Sequence, residues 1–168
     1  MLATDAIDAY VDHVVAHELE SGTEGDLPSG PYSGSEREPR ADVRSKALRR
    51  WATPLDAPGW RRAWGLWHGD AVVGSVHLAG ADLPASMHRV DCGIGIERPH
   101  RGQGHGRALM EAAIGWARTQ RGIDWVELGV FEGDEIAAAL YESLGLERIG
   151  CTTDRFRVDG LVMTDIPM

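Results

Sequence analysis

A chain of 168 residues with 43% hydrophobic and 26% charged residues fits one soluble globular domain with a real core. Its formal charge of −9 argues against a broad nucleic-acid surface, which clustered Lys and Arg would have to build, and suits a cationic acceptor such as an amine. No apolar run approaches the roughly 20 residues of a membrane helix. The first turn of sequence already carries Asp5, Asp8 and Asp12, unlike a secretory leader, so the expectations are no membrane and a cytoplasmic location.

In chain order, Asp5–Glu20 puts Ile7, Tyr10, Val11, Val14 and Val15 on one stripe and predicts an amphipathic helix. Ser21–Arg40 is rich in Gly, Pro and Ser without periodicity, the mark of a functional or mobile loop. Ala41–Trp51 predicts a second, basic helix, closed off by Pro54 and Pro58. Trp60–Trp67 and Ala71–Ala79 predict a hairpin around His68-Gly69-Asp70. Met87–Ile96 alternates, with Val90, Cys92, Ile94 and Ile96 facing one way and Asp91, Gly93 and Gly95 the other. Gly104–Thr119 predicts a helix and Ile123–Phe131 a strand with Val126, Leu128 and Val130 on one face. Asp134–Leu144 predicts a helix with Ile136, Leu140 and Leu144 on its stripe and Gly145 at its end. Glu147–Ile166 predicts a closing hairpin around Val158-Asp159-Gly160. The order is that of an α/β fold with a mixed sheet. Cys92 and Cys151 lack CxxC spacing and a nearby His, so reduced thiols are expected and no metal site.

The informative stretch is Ile94-Gly-Ile-Glu-Arg-Pro-His-Arg-Gly-Gln-Gly-His-Gly-Arg107, a strand, a glycine-rich turn and a helix start. The first amides of a helix lack backbone partners and the helix dipole favours an anion there. Gly102, Gly104 and Gly106 let a phosphate approach the main chain, and Arg101 and Arg107 add positive charge. This is chemistry for a phosphate or pyrophosphate. A P-loop is excluded because no Lys-Ser or Lys-Thr follows, and a dinucleotide turn because Gly102-Gln103-Gly104-His105-Gly106 has the wrong spacing. The pattern Arg-x-x-Gly-x-Gly is satisfied by Arg101, Gly104 and Gly106; a flexible loop capping a helix is the plainer alternative.

Arg101-Gly-Gln-Gly-His-Gly106 resembles the pyrophosphate-binding motif of the GCN5-related N-acetyltransferases, the GNAT superfamily. Downstream, Val126-Glu-Leu-Gly-Val130 and Ala137-x-x-Leu140-Tyr141-Glu-Ser-Leu-Gly-Leu146 are similar to the family's next strand and helix, and Phe156–Met168 to the last hairpin of small bacterial members. The resemblance runs from about Ala63 to the C-terminus. It implies a single domain with a mixed, mostly antiparallel sheet, a splayed parallel strand pair and about four helices. Residues of about 1–59 would serve the acceptor and about 60–168 the acetyl-CoA core. Main-chain groups of Ile94 and Ile96 would pair with the pantetheine arm, and amides of Gly102, Gln103, Gly104, His105, Gly106 and Arg107 would hold the pyrophosphate. Members usually begin with a β-strand, for which Met1–Thr4 leaves little room, so the sheet edge is expected to be short, frayed or supplied by a partner. A homodimer is expected by fold-level analogy.

Acetyl transfer to an amine has two proton problems. An alkylammonium with a pKa near 10.4 is neutral only about once in 10³ molecules at pH 7, a cost of roughly 4–5 kcal/mol. A base or a water relay must take its proton, and the leaving thiolate, with a pKa of roughly 8.5, benefits from an acid. Direct attack needs no nucleophile from the protein. Tyr141 matches the family's tyrosine beside the coenzyme sulfur and is the candidate acid; a packed helix tyrosine is the alternative. Glu127 and Asp91 are the candidate bases, Glu127 slightly preferred because Trp125 and Phe131 share its face. Both look into one cleft if the two strand faces coincide; solvated surface carboxylates are the alternative. The family commonly has Asn seven residues before the tyrosine, where this chain has Asp134. Asp caps a helix equally well but donates no hydrogen bond to the coenzyme arm. The expected function is acetyl transfer from acetyl-CoA to a small amine, amino acid or peptide N-terminus, with a non-catalytic acyl-CoA-binding module as the alternative. Tyr32, Trp51, Trp60, Trp64 and Trp67 would either grip that acceptor or pack the core, and Glu36, Glu38 and Asp42 would either meet its charge or form a solvated face.

Overall fold

The computed structural model describes all 168 residues. Two compact units divide the chain: Met1–His17 with Glu38–Glu127, and Glu18–Arg37 with Leu128–Met168. No helix is long and apolar enough to cross a membrane. Both cysteines are free, Cys92 buried and Cys151 exposed.

The first unit is built on a four-stranded sheet in the order β1-β2-β3-β4. Its strands are β1 (Arg61–His68), β2 (Ala71–Gly80), β3 (Arg89–Ile96) and β4 (Trp125–Glu127). The first three run antiparallel and β4 joins β3 in parallel, reached through helix α3 (His105–Ala117). Alternation along each strand gives the sheet two unlike faces. On one, Val76, Leu78 and Val90 are fully buried, as are Met110 and Ala113 of α3, and Cys92 Sγ lies 3.6 Å from Met110 Sδ. Trp60 and Trp64 meet Trp116 edge-on at 6.0 and 5.4 Å, so these tryptophans are core, not acceptor contacts. Trp51 packs on Tyr10, while Trp67 stays half-exposed.

The other face carries α1 (Ile7–Glu20) and α2 (Arg40–Ala52). The predicted stripe of α1 forms its cluster: Ile7, Tyr10 and Val11 pack with Val43 and Ala47 of α2 and Ala63 of β1. Arg62 closes α2 by donating to the carbonyls of Trp51 (3.0 Å) and Thr53 (2.9 Å). At the N-terminus a backbone bond runs from Leu2 N to Ala63 O (2.7 Å), and Met1–Ala3 forms no strand.

The second unit holds an antiparallel sheet in the order β5-β7-β6: β5 (Gly129–Phe131), β6 (Thr152–Val158) and β7 (Leu161–Pro167), with helix α4 (Glu135–Ser143). Glu18–Arg37 contributes a 3-10 turn at Gly34–Glu36, held by a reciprocal Ser33/Glu36 capping box.

Two expectations need correction. The strand predicted over Ile123–Phe131 is two short strands in two sheets. Glu127 still pairs with β3, whereas Leu128 exchanges two backbone bonds with Met168 (3.0 and 2.8 Å), so the partner changes between adjacent residues. On α4 the buried positions are Ala138 and Tyr141, not the Ile136 stripe; Ile136 is 88% exposed. Small alanines let that face of the helix pack closely, and an apolar-spacing count overlooks them.

Candidate functional site

The glycine turn follows β3 directly. Glu97 N bonds to Val73 O (3.0 Å), and Arg98–His100 makes one 3-10 turn with Pro99 near its start. Arg101 Nε then folds back onto Ile96 O (2.7 Å), and Gln103 Nε2 onto Pro99 O (3.2 Å). Gly102 and Gly104 adopt φ of +72° and +81°, which side-chain-bearing residues rarely tolerate. A Cβ built on either meets nothing within 4 Å, so the space outside both is open. The first main-chain bond of α3 runs from Ala108 N to Gly104 O (3.3 Å), leaving the amides at Gly104–Gly106 without helical acceptors. Arg107 lies 3.6 Å from Glu111 one turn on. The turn thus gathers amides, open space and arginines at a helix N-terminus, an anion cradle on physical grounds.

The strand edge beside that turn is also bare of a sheet partner. The parallel ladder pairs Arg89 with Trp125, Val90 with Val126 and Asp91 with Glu127, and then stops. Ile94 and Ile96 lie beyond its last rung, where extended backbone is available to pair with an extended ligand.

The ladder settles the geometric condition on the carboxylates: as Cα partners, Asp91 and Glu127 share a face. Their surroundings differ. Arg89 Nε donates to Glu127 Oε1 (2.7 Å) and its second nitrogen closes an ion pair with the same oxygen, while the guanidinium lies over the Trp125 ring (4.8 Å). Asp91 is held above the usual carboxylate range, first by desolvation and then by the charge of Glu127, with Arg50 and Arg61 pulling the other way.

Three imidazoles on the same side escaped the sequence reading. His77 lies against Gly93, where an added Cβ would meet its ring at 2.5 Å; burial, then Arg61 and Arg50, push its pKa down to about 3. His17 lies against Gly95, where a Cβ would meet its ring at 2.7 Å. His13 is buried and its Nδ1 lies 2.9 Å from Glu97 Oε1. The alternating glycines of β3 carried the signal, since a glycine on a strand face marks a close approach. Glu38 is held by Lys46 (2.8 Å) and Glu36 by the Ser33 cap, which leaves both in local roles.

In the second unit, Asp134 caps α4, its Oδ1 accepting from Ala137 N (3.0 Å), and Tyr141 is buried on that helix.

The family model described as "Acetyltransferase (GNAT) family" matches residues 26–146. The chain belongs to the GNAT acetyltransferase family. Acetyl transfer is the chemistry that the family's description names. A mycothiol acetyltransferase from Salinispora tropica is 44% identical over 55 residues, 33% of this chain and 18% of that protein. The chain thus spans about a fifth of the length of that curated relative. Among solved GNAT-fold structures, ribosomal-protein-alanine N-acetyltransferase from Brucella melitensis has a TM-score of 0.79 at 16% identity, covering 99% of this chain and 94% of that one. A putative acetyltransferase, yncA, from Salmonella typhimurium, solved with its cofactor acetyl-CoA, has a TM-score of 0.75 at 14% identity over 99% and 90% of the two chains. These likenesses establish the GNAT fold, α/β with a mixed sheet containing a parallel pair.

Proposed function

We propose that this chain is an acetyl-CoA-dependent N-acetyltransferase that acetylates a primary amine of a small molecule, an amino acid or a peptide N-terminus. The open turn at Gly102 and Gly104, set against the first turn of α3, carries the reading. A Cβ at either position would enter space that a phosphate needs, so the residues present fit a pyrophosphate. Amides of residues 102–107 would hold it, and the main chain of Ile94 and Ile96 would align the pantetheine arm. When bound, acetyl-CoA supplies an activated acetyl thioester.

The protein's own task is then proton management. Asp91 is our choice of proton acceptor over Glu127, because Arg89 holds Glu127 in an ion pair while Asp91 has a raised proton affinity. A water between Asp91 and the amine would serve the same end. Tyr141 is assigned as donor to the leaving thiolate on the family resemblance.

The test is direct. Purified protein with acetyl-CoA and a panel of primary amines should release free thiol with at least one acceptor. Calorimetric binding of acetyl-CoA without thiol release for any acceptor would replace the enzyme reading with that of a non-catalytic acyl-CoA-binding module.

A further inference from the structure

One row of the first unit's sheet combines charges that the acetyl-transfer chemistry alone does not require. Arg61 on β1 is the Cα partner of Ala79 on β2, Ala79 that of Asp91 on β3, and Asp91 that of Glu127 on β4. All four therefore share one face, the face on which Ala63 packs beneath α1 and α2. Arg61 Nε is buried and has no hydrogen-bond partner. A buried guanidinium N–H left unpaired is costly, and such donors normally find an acceptor.

A second cation stands beside it. Arg50, near the end of α2, donates from Nε to Gly59 O (2.9 Å), so that nitrogen is committed. Its pKa is lowered by burial and then by the charge of Arg61, so the two cations repel each other in a site partly out of water. Like charges so placed call for an anion between or beside them. The local acids do not fully supply it. Glu127 is bound by Arg89, and desolvation, then the charge of Glu127, raise the proton affinity of Asp91 against the pull of both arginines. Asp82 adds a weaker attraction to Arg50 than the repulsion from Arg61. His77, on the adjacent row beside Gly93, is kept neutral by burial and then by the same arginines, and adds no charge.

We infer that Arg61, with Arg50 behind it, binds the carboxylate of the acceptor, so that the acceptor class is a free α-amino acid. This rests on the N-acetyltransferase reading above and narrows its acceptor. The dimensions agree. Arg61 and Asp91 stand two strands apart, about 9.5 Å between backbones, and long and short side chains reaching inward leave a gap of a few ångströms. An α-amino acid carries its ammonium and carboxylate within about that span. Seated there, it directs the carboxylate to the unpaired Nε–H of Arg61 and the ammonium to Asp91. A planar guanidinium matches a carboxylate better than an ammonium does. Amines without a carboxylate leave the Arg61 donor unpaired and are disfavoured.

The experiment compares matched acceptors: L-methionine, L-phenylalanine and L-tryptophan against their amides and their decarboxylated amines. Expected kcat/KM for the free amino acids exceeds that for the other two sets by about 100-fold or more, and Arg61→Gln removes the difference through KM for the amino acids. Rates with decarboxylated amines fall less than those with the amino acids in that variant. Arg61→Lys, which keeps charge but not the fork, should recover only part of the preference. Because Nε–H is unpaired, Arg61→Gln should not lower Tm, whereas a purely structural arginine would. Amides or decarboxylated amines acetylated as well as the amino acids would overturn the carboxylate site while leaving the transferase reading intact. If no acceptor of any set is acetylated, amino-acid binding to the CoA-bound protein, read as a Tm shift in wild type and absent in Arg61→Gln, still decides the site, and its absence in wild type overturns it.

Discussion

Asp91 of β3 and Glu127 of β4 are partners on the last rung of the parallel ladder, and their carboxylates leave the sheet on the same side. Only one is neutralised by a neighbour, since Arg89 bonds to Glu127. The pair is therefore asymmetric: Glu127 is held by Arg89, while desolvation and then the charge of Glu127 raise the proton affinity of Asp91. Asp91→Asn should lower kcat/KM by about 10²- to 10⁴-fold, the usual worth of a positioned base. Glu127→Gln should cost less and should move the acidic limb of the pH–kcat/KM profile to lower pH, because it removes a charge that holds Asp91 protonated. An unchanged limb in Glu127→Gln, or wild-type rates in Asp91→Asn, would remove Asp91 from the reaction.

The cradle makes a separate prediction. Gly104 sits at φ +81°, and a left-handed conformation costs a residue with a Cβ about 1–2 kcal/mol. Gly104→Ala should show that loss in thermal or chemical unfolding, since nothing nearby clashes. Its effect on acetyl-CoA should be larger than on stability: the added methyl occupies the open side of the turn, and calorimetry should show affinity reduced about tenfold or more.

Much of this was readable from residue order. The helix stripe Ile7-Tyr10-Val11, the β1–β2 hairpin and the Arg101–Gly106 turn follow from local chemistry, in which period, turn residues and glycine spacing act over a few neighbours. What failed depended on distant partners. The partner change at Leu128 is imposed by Met168, forty residues away in sequence, and no local pattern announces it. The ion pair that distinguishes Glu127 from Asp91 arises because Arg89 sits two rungs before both, on the same face, a fact of register. Gly93 and Gly95 were legible only as an alternating face; that they seat His77 and His17 required the α1 and β2 neighbours to be in place.

That seating gives a packing test. Gly93→Ala should destabilise by about 1–3 kcal/mol, because the His77 ring lies 2.5 Å from the new methyl on a crowded face. His77→Ala alone should also destabilise by loss of packing. The double variant should be more stable than the sum of the two losses predicts, by about 0.5 kcal/mol or more, as expected for residues in direct contact. Additive losses in urea unfolding would mean that the ring and the glycine do not constrain each other.

Asp134 separates a structural role from a chemical one. Its Oδ1 caps α4 through Ala137 N, so Asp134→Ala should cost about 0.5–2 kcal/mol. Asp134→Asn keeps the cap acceptor and should leave Tm nearly unchanged. Asn also adds an amide donor of the kind common in similar proteins, so acetyl-CoA affinity should stay equal or rise in the variant. A fall in affinity at unchanged Tm would show that the carboxylate itself serves the coenzyme site.

His77 provides a prediction about pH that needs no acceptor. Its pKa in the folded protein is depressed to about 3 from an ordinary value near 6.5, chiefly by burial and secondarily by Arg61 and Arg50. The unfolded chain therefore binds a proton at His77 that the folded chain refuses. The associated stability is fully present above about pH 6.5 and is lost progressively as pH falls from there toward 3. In the native protein, the His77 ring resonances should show no titration between pH 8 and 4.5 in a proton–nitrogen correlation spectrum. Over the same range, Tm should fall more steeply in wild type than in a folded His77→Gln variant, in which Gln is neutral at every pH. An imidazole that titrates near 6.5 in the native state would mean that water reaches the ring and that the neighbouring arginines are screened from it.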